Sequence, residues 1–451
     1  MQDYIPNEVF LRNRVTRLLE LNTIDKSIYT KYDVKRGLRN ADGTGVIAGV
    51  TNICNVRGYY IQDGERMPMD GSLTYRGIDV QKLVEGFTAD NRFGYEETAY
   101  LILFGDLPNE SQLAAFKNVL HEYKNPPDRF TEDNILSAPS RDIMNKLERS
   151  MLALYSYDEN PELSDIASEL DKMLRIIAMC PTLIAHAYAA KSHYFDNKSL
   201  YLHRPNDDLS LAENFLYSIR HDNVFSEQEA HLLDLCMVLH AEHGGGNNSA
   251  FTCRCVSSTG SDVYSALAAA IGSLKGPRHG GANKKVMEMF DYIKREVSDW
   301  ENDGQVRACL EKIKRGEGGD GSGLIYGIGH AVYTLSDPRA VLLKRMAIKL
   351  AEDKGYSDEF KLLESVERLA PDVLSENGIR KTVSANVDFY SGLVYKMLDI
   401  PEELFTPLFA MSRIVGWCAH RMEEAFGQNR IVRPAYKVMS VNREYTPLEN
   451  R

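Results

Sequence analysis

Apolar residues recur at helical spacing along most of the chain, and this pattern predicts a mainly α-helical protein. Between Asn109 and Tyr123, Leu113, Phe116 and Leu120 fall on one helical stripe, and Asn109 stands where a helix cap is expected. The same spacing predicts further helices over residues 147–155, 165–188 with an interruption at Pro181, 225–240, 261–276, 283–297, 337–355, 359–369, 386–398 and 406–426. Thr406 is the expected cap of the last of these helices.

Three short segments near the amino end have a different residue pattern. Residues 45–50, 56–61 and 71–76 are rich in residues that favour strands and are bounded by glycine. This pattern predicts a small β element between residues 44 and 76.

The segment 261–276 carries small apolar side chains between a cap at Ser261 or Asp262 and the stop Gly276-Pro277. Small side chains let two helix backbones approach closely. We therefore interpret this segment as a core helix or a dimer-interface helix.

Composition and charge narrow the class of protein. The 451 residues are 43% hydrophobic and 26% charged, which is ordinary for a globular protein with two or more structural units. The net charge of −11 argues against binding to nucleic acid or to an anionic membrane. An acidic protein that binds anions must concentrate its cations locally, so the positions of individual arginines become important.

The cysteines and the amino terminus bear on cellular location. Seven cysteines are scattered along the chain, and reduced thiols in a cytoplasmic protein are the simplest account of them. The amino terminus has no apolar signal segment, and no uninterrupted run of 18 apolar residues predicts a membrane span.

Three histidines stand beside glycines, which allow a backbone to approach a ligand closely. They are His243 before a run of three glycines, His279 within Gly276-Pro-Arg-His-Gly, and His330 within Gly327-Ile-Gly-His-Ala. A turn histidine that bonds local carbonyls is the plainer interpretation of His279. A zinc site at His240 and His243 lacks a third and a fourth ligand at usual spacing.

Nine residues after His330, an arginine stands where a helix should begin. Asp337 is positioned to cap that helix, and Pro338 suits its first turn. Arg339 then lies among free backbone N–H groups, where a carboxylate or phosphate is stabilised. A loop-to-helix junction with a solvated arginine is the alternative.

Asp388, Arg413 and Arg433 complete a possible set of charged groups. Asp388 enters a predicted helix, where an ordinary first-turn aspartate is also common. Arg413 falls within an apolar helix, where its charge is costly unless it pairs with an anion. Arg433 lies in an extended tail. Either arginine could instead form a structural ion pair.

Taken together, these motifs resemble the citrate synthase family, of the bacterial type, from about Tyr75 to Tyr436. The resemblance rests on the run from His243 to Asn247 and on the motifs around His279, His330 and Asp388, at intervals of 36, 51 and 58 residues (243 to 279 to 330 to 388). The family implies a mainly α-helical homodimer with a small β element and two domains that close over the substrates. Residues 1–279 with 393–451 would form the large domain, and residues 280–392 the small one.

The resemblance also implies an activity of the tricarboxylic acid cycle, which is the condensation of acetyl-CoA with oxaloacetate followed by hydrolysis of citryl-CoA. Asp388 would take a methyl proton from acetyl-CoA, His279 would bind the thioester oxygen, and His330 would polarise the ketone of oxaloacetate. The oxaloacetate carboxylates would be held by His243, Asn247, Arg339, Arg413 and, from the partner subunit, Arg433.

The family further implies that coenzyme A passes over Leu324, Ile325, Gly327 and Gly329, and that no metal or separate cofactor is needed. Arg278 stands where the family has a small or aliphatic residue, and we hypothesise that it reaches a phosphate of coenzyme A. Ile328 and the Glu242-His243-Gly244 run also depart from the family pattern.

Three alternatives stay open at this point. A 2-methylcitrate synthase would use propionyl-CoA with the same residues, and one methylene gives only about 1–3 kcal/mol of discrimination. A helical binding protein without activity and a zinc hydrolase are the other two.

Overall fold

The computed structural model describes residues 15, 18–20, 22–40, 42–375, 382–427, 430–440 and 442–450. The chain groups into two units, one of residues 1–48 with 433–451 and one of residues 49–432. The domain boundaries predicted near residues 279 and 392 fall inside the second unit, and they stay a prediction.

The first unit contains the short helix α1, Lys26–Lys31, which Asp25 caps by accepting from the backbone N–H of Ser27. Single turns of 3₁₀-helix lie at Arg36–Leu38 and Leu448–Asn450. Lys437 lies over the ring of Tyr32, 4.9 Å from its centroid, so the two segments of this unit contact each other.

The second unit is mainly helical, as the spacing of apolar residues predicts. Its α-helices are α2 Val80–Ala89, α3 Tyr95–Phe104, α4 Glu110–Tyr123, α5 Ile143–Leu154, α6 Ile166–Asp196, α7 Leu211–Ile219, α8 Glu227–His240, α9 Asn248–Ser257, α10 Val263–Lys275, α11 Ala282–Glu296, α12 Asp303–Lys314, α13 Pro338–Asp353, α14 Ser357–Val373, α15 Val387–Met397 and α16 Phe405–Gly427. Shorter helical turns lie at Thr131–Leu136, Tyr155–Tyr157 and Glu402–Leu404.

Side-chain caps start many of these helices where the sequence places them. Asn109 and Ser226 each form a reciprocal capping box, and Asp262 rather than Ser261 caps α10. Thr406 is not a cap, because α16 begins one residue earlier and the Thr406 hydroxyl donates to the carbonyl of Gly280. The prediction at Thr406 is therefore wrong.

The predicted interruption of α6 at Pro181 is also wrong, because the helix runs through it for 31 residues. Cys180, Pro181 and Thr182 are all buried, and tertiary packing outweighs the backbone hydrogen bond that a proline removes. By length and composition α6 could cross a membrane, but 83% of its most apolar 18-residue window is buried inside the protein. α6 is a core helix of this fold.

The sheet is a three-stranded antiparallel one with the order β1 Cys54–Gln62, β2 Glu65–Tyr75 and β3 Ile78–Asp79. The predicted strand at 45–50 is not formed, apart from one isolated bridge between Arg39 and Gly45. β1 and β2 turn back at Asp63 and Gly64, whose φ angles of 53° and 83° suit a tight two-residue hairpin loop.

The β1–β2 hairpin presses against the chain that follows His330. The hydroxyl of Thr334 lies within hydrogen-bond distance of the carbonyls of Gly58 and Met69 and shares its one proton between them. The N–H of Gly71 donates 3.1 Å to the hydroxyl of Ser336. A Cβ on Gly71 would clash with the carbonyl oxygen of Ser336. The hairpin is thus a brace for the segment 330–339.

Candidate active site

Most of the charged and histidine residues predicted for the site line one cavity of about 160 Å³ in the second unit. From the predicted set, it contains His243, Asn247, His279, His330, Arg339, Asp388 and Arg413. The apolar parts of its wall include Leu274, Val387, Phe405 and Phe409. Residues from 243 to 413 in the sequence therefore meet around one small space.

Backbone pairing brings His330 and Asp388 to the same cavity. Ile328 and Ala385 form an isolated antiparallel bridge, and the N–H of Asn386 donates 2.8 Å to the carbonyl of Gly327. The Asn386 side chain donates 3.0 Å to the carbonyl of Gly329 and accepts 3.0 Å from the N–H of Asp388. Asn386 therefore caps α15 and ties the two segments together.

The imidazole of His330 is held in one tautomer. Its Nδ1 accepts from the backbone N–H groups of Val332 at 3.0 Å and Tyr333 at 3.2 Å. A nitrogen that accepts carries no proton, so the proton of the neutral ring lies on Nε2. His330 is thereby prepared to donate a hydrogen bond from Nε2.

Tyr333 positions two of the site histidines, and sequence reasoning missed it. Its ring stacks on His330 with centroids 4.7 Å apart, and its hydroxyl lies 3.2 Å from Nε2 of His243. The residue stands three positions after His330, in a segment whose loop conformation gives no periodic signal. Its position close to the glycine-flanked His330 is the only hint in the sequence.

His279 contacts the hydroxyl of Ser249 through Nε2 at 3.2 Å. This contact leaves Nδ1 as the ring nitrogen that can act on a substrate. Ser249 has one hydroxyl proton, which goes either to Asn247 Oδ1 at 2.8 Å or to His279. When it goes to His279, the ring proton lies on Nδ1 and is ready for donation. Burial, with the nearby charge of Arg413, lowers the pKa of His279 to about 4, so the ring is neutral at neutral pH.

Asp388 lies in the first turn of α15 and faces the cavity. Burial raises the pKa of Asp388 to about 6, and the positive charge of Arg339 opposes that rise. The carboxylate is therefore ionised at neutral pH, yet it is a stronger base than an exposed aspartate. This combination is typical of a catalytic general base.

Arg413 is the clearest sign of an anion site. Its side chain is buried, Nε donates 2.5 Å to the carbonyl of His240, and neither Nη1 nor Nη2 has a hydrogen-bond partner among the described residues. Buried guanidinium nitrogens without partners are costly, and a carboxylate would satisfy both of them. The sequence prediction that this arginine needs an anion agrees with its geometry.

Arg339 is buried and bound by Asp337. The sequence predicts Asp337 as the helix cap, but it does not predict the ion pair between these two residues. Nε and Nη2 donate to the two carboxylate oxygens of Asp337 at 3.0 and 2.7 Å. The alternative of a solvated arginine is wrong, since both side chains are almost fully buried. Asp337 fixes the guanidinium plane at the cavity wall.

Glu242 supports the wall behind His243. Its carboxylate is fully buried, accepts 2.5 Å from the N–H of Gly244, and pairs with His420 at 2.9 Å. Although burial acts against the charge, these partners lower the pKa of Glu242 to about 2. Gly416 admits the carboxylate, because a Cβ there would clash with it. Burial, together with the charges of Arg339 and Arg413, lowers the pKa of His243.

A second cavity of about 630 Å³ shares His330 with the first one. Leu324, Ile325 and Gly329, all predicted to contact coenzyme A, line it. Gly327 is not among its lining residues, and a Cβ there would lie 2.7 Å from Phe389, so packing explains this glycine. The second cavity has a larger volume than the first, so it is suited to a larger molecule.

Two predicted contacts lie elsewhere. Arg278 is exposed and is not among the residues that line either cavity. Arg433 begins the segment that belongs to the first unit. The roles of both arginines stay predictions.

The cavity thus brings a buried carboxylate, histidines and two arginines together in one small space within a mainly α-helical fold. A family model described as citrate synthase, C-terminal domain, matches residues 40–435. The chain belongs to the citrate synthase family.

Individual relatives agree with this assignment. A citrate synthase from Synechocystis is 33% identical over 386 residues, which cover 85% of this chain and 89% of that protein. A 2-methylcitrate synthase from Shewanella oneidensis is 34% identical over 388 residues, covering 84% and 92%. The ternary complex of carboxymethyl coenzyme A and oxaloacetate with citrate synthase from Thermoplasma acidophilum matches with a TM-score of 0.74 at 26% identity, covering 93% and 99%.

Proposed function

We propose that the protein condenses acetyl-CoA with oxaloacetate and hydrolyses the resulting citryl-CoA to citrate and CoA. The observation that carries the proposal is Arg413, whose Nη1 and Nη2 have no hydrogen-bond partner among the described residues, in a cavity that also holds Asp388, His279 and His330. This set supplies a base, two neutral donors and a carboxylate site.

Asp388 takes a proton from the methyl group of acetyl-CoA, and Nδ1 of His279 donates to the thioester oxygen as the enolate forms. A positioned base contributes about 10²–10⁴ in rate. A donor held at the developing oxyanion contributes about 3–4 kcal/mol. A thioester α-proton is far less acidic than a carboxyl group, so the two groups must act together.

The enolate carbon then forms a bond to the ketone carbon of oxaloacetate, and Nε2 of His330 donates to the oxygen that becomes the hydroxyl. The backbone donors to Nδ1 hold His330 in the tautomer that this step needs. Water afterwards cleaves the citryl thioester, which releases citrate and CoA.

The carboxylates of oxaloacetate are bound by Arg339 and Arg413, with His243 and Asn247 completing the contacts. The support for this assignment is that all four line the smaller cavity. Guanidinium groups suit carboxylates because they donate two parallel hydrogen bonds. Arg433 of a second copy would add a third guanidinium in a homodimer.

Acetyl-CoA lies along the larger cavity, over Leu324, Ile325 and Gly329, with Gly327 supporting that loop. The exposed Arg278 lies outside the lining of this cavity, and its proposed role is to reach a phosphate of CoA. His330 belongs to both cavities, so the acetyl group reaches oxaloacetate there. The reaction needs no metal and no cofactor besides the CoA of its substrate. We place the enzyme in the cytoplasm, as a homodimer whose large domain is residues 1–279 with 393–451 and whose small domain is residues 280–392.

A second candidate is the methylcitrate reaction with propionyl-CoA, which the 34% identical relative from Shewanella oneidensis favours. The decisive experiment compares kcat/KM for acetyl-CoA and for propionyl-CoA with oxaloacetate. The reaction is monitored through the release of the CoA thiol. A higher value for acetyl-CoA is expected, and a higher value for propionyl-CoA would select the second candidate. No thiol release with either thioester would refute both.

A further inference from the structure

One face of the β1–β2 hairpin looks into the larger cavity. In the hairpin register Tyr59 pairs with Pro68 and Ile61 pairs with Arg66. Paired residues share a face and successive residues alternate, so Tyr59, Arg66 and Pro68 lie on the same side. All three line the larger cavity.

The tight turn determines which face of the hairpin looks into the larger cavity. Asp63 and Gly64 close the hairpin with Gln62 paired to Glu65. A shift by one residue would turn Arg66 to the opposite side of the hairpin. The turn and the pleat thus fix the position of one charged side chain over the cavity.

Arg66 is the only arginine or lysine among the described residues that line this cavity. Its guanidinium lies over the ring of Tyr59, 3.9 Å from the centroid, and no described carboxylate forms an ion pair with it. Stacking on an aromatic ring holds the guanidinium plane while leaving its N–H groups available. The cavity therefore carries a positioned positive charge in its wall.

We infer that Arg66 binds a phosphate of the acyl-CoA substrate and makes the enzyme selective for the nucleotide end of CoA. The inference rests on the proposed function. Planar guanidinium groups bind phosphate oxygens with two parallel hydrogen bonds, and a cation without a described carboxylate partner attracts an anion locally even in a protein of net charge −11. The hairpin then both braces the segment after His330 and recognises the substrate.

The test compares Arg66→Ala with Arg57→Ala, which removes the same charge from an exposed position of the hairpin outside the cavity lining. Each variant is assayed with acetyl-CoA, with acetyl-dephospho-CoA and with acetyl-pantetheine, which has no nucleotide. Arg66→Ala should raise the KM for acetyl-CoA about tenfold, as expected for the loss of a charged hydrogen bond. Its kcat, its KM for oxaloacetate and its KM for acetyl-pantetheine should not change, and Arg57→Ala should resemble the parent.

The three thioesters distinguish the contact. If the effect disappears with acetyl-dephospho-CoA, Arg66 binds the 3′-phosphate, and if it disappears only with acetyl-pantetheine, Arg66 binds the diphosphate. An unchanged KM for acetyl-CoA, or an equal rise with acetyl-pantetheine, would overturn the inference. Calorimetry with CoA alone separates it from the proposed function, because weaker CoA binding by Arg66→Ala supports the inference and equal binding overturns it even if neither thioester is turned over.

Discussion

At the scale of single residues, burial makes an ordinary first-turn aspartate into a base. Asp388→Asn keeps the shape of the side chain and removes its proton acceptor, so we expect kcat to fall at least about 10³-fold. Oxaloacetate should still raise the Tm of the variant, because Arg339 and Arg413 are intact. Near-normal turnover would end the assignment of Asp388 as the base.

The same variant should be more stable than the parent at neutral pH. The pKa of Asp388 is about 6 in the fold and near 3.8 in the unfolded chain, so the fold loses stability as the pH rises from 3.8 to about 6 and bears the full cost above that. Asparagine removes that cost, which is about 1–3 kcal/mol. Urea unfolding at pH 7.5 should show the gain, and the gain should shrink as the pH is lowered towards 4. Equal stability at both pH values would contradict the raised pKa.

The pH profile of the parent enzyme offers an independent check. The base must be ionised to accept a proton, so kcat/KM should fall about tenfold per pH unit below an apparent pKa near 6. Above that value the profile should be level, since His279, with its pKa lowered to about 4, is already neutral. An acid limb near pH 4 instead would argue that Asp388 is not the titrating group.

The sequence predicts the residues that line the cavity better than the residues that hold them. Adjacent glycines in the sequence indicate His243, His279 and His330, and an apolar sequence context indicates Arg413. The roles of Tyr333 and Ser249 depend on contacts with His243 and His279, at separations of 90 and 30 residues. Without the fold, nothing local in the sequence identifies such partners.

At the scale of elements, the hairpin braces the segment after His330 by close backbone contact. Gly71→Ala places a methyl group against Ser336 and Pro338, so we expect a loss of about 1–3 kcal/mol of stability and a lower kcat/KM for oxaloacetate. Gly86→Ala in α2 is the matched control, since its Cβ would meet no atom within 4 Å. That substitution should stabilise the protein by about 0.5–1 kcal/mol. Equal behaviour of the two variants in urea unfolding and kinetics would show that the hairpin is not a brace.

Helices were easier to predict from the sequence than the sheet, for a physical reason. A long amphipathic helix repeats its signal over several turns, whereas β1 and β2 depend on a two-residue turn at Asp63 and Gly64. An Asp-Gly pair between strand-forming residues is a hairpin signal, and it would have given the correct pairing. Pro181 leads to the opposite error, which is to predict a break where the helix continues. Burial of α6 outweighs the local tendency of proline to interrupt a helix.

At the scale of the second unit, three helices each carry a site residue at or just beyond one end and an ion-pair residue at or just beyond the other. These are α8 with Glu229 and His243, α13 with Arg339 and Lys354, and α15 with Asp388 and Asp399. Lys354 joins Glu229 at 2.7 Å and Asp399 at 3.3 Å. These ion pairs join the helix ends that lie away from the cavity. They thereby help to hold the opposite helix ends, which carry the site residues, in position relative to one another.

The predicted homodimer can be tested with Arg433. If Arg433 acts in the partner's site, then mixing inactive Asp388→Asn subunits with Arg433→Ala subunits creates hybrids in which one site has both wild-type groups. With random assortment, half of the dimers are hybrids and one of their two sites works, so about a quarter of the parent activity should return. Pairing Asp388→Asn with Arg413→Ala is the control, because Arg413 and Asp388 line the same cavity of one chain and no hybrid site regains both. Recovery with Arg433→Ala but not with Arg413→Ala would establish donation across an interface, whereas no recovery in either mixture would confine Arg433 to its own subunit or remove it from the site.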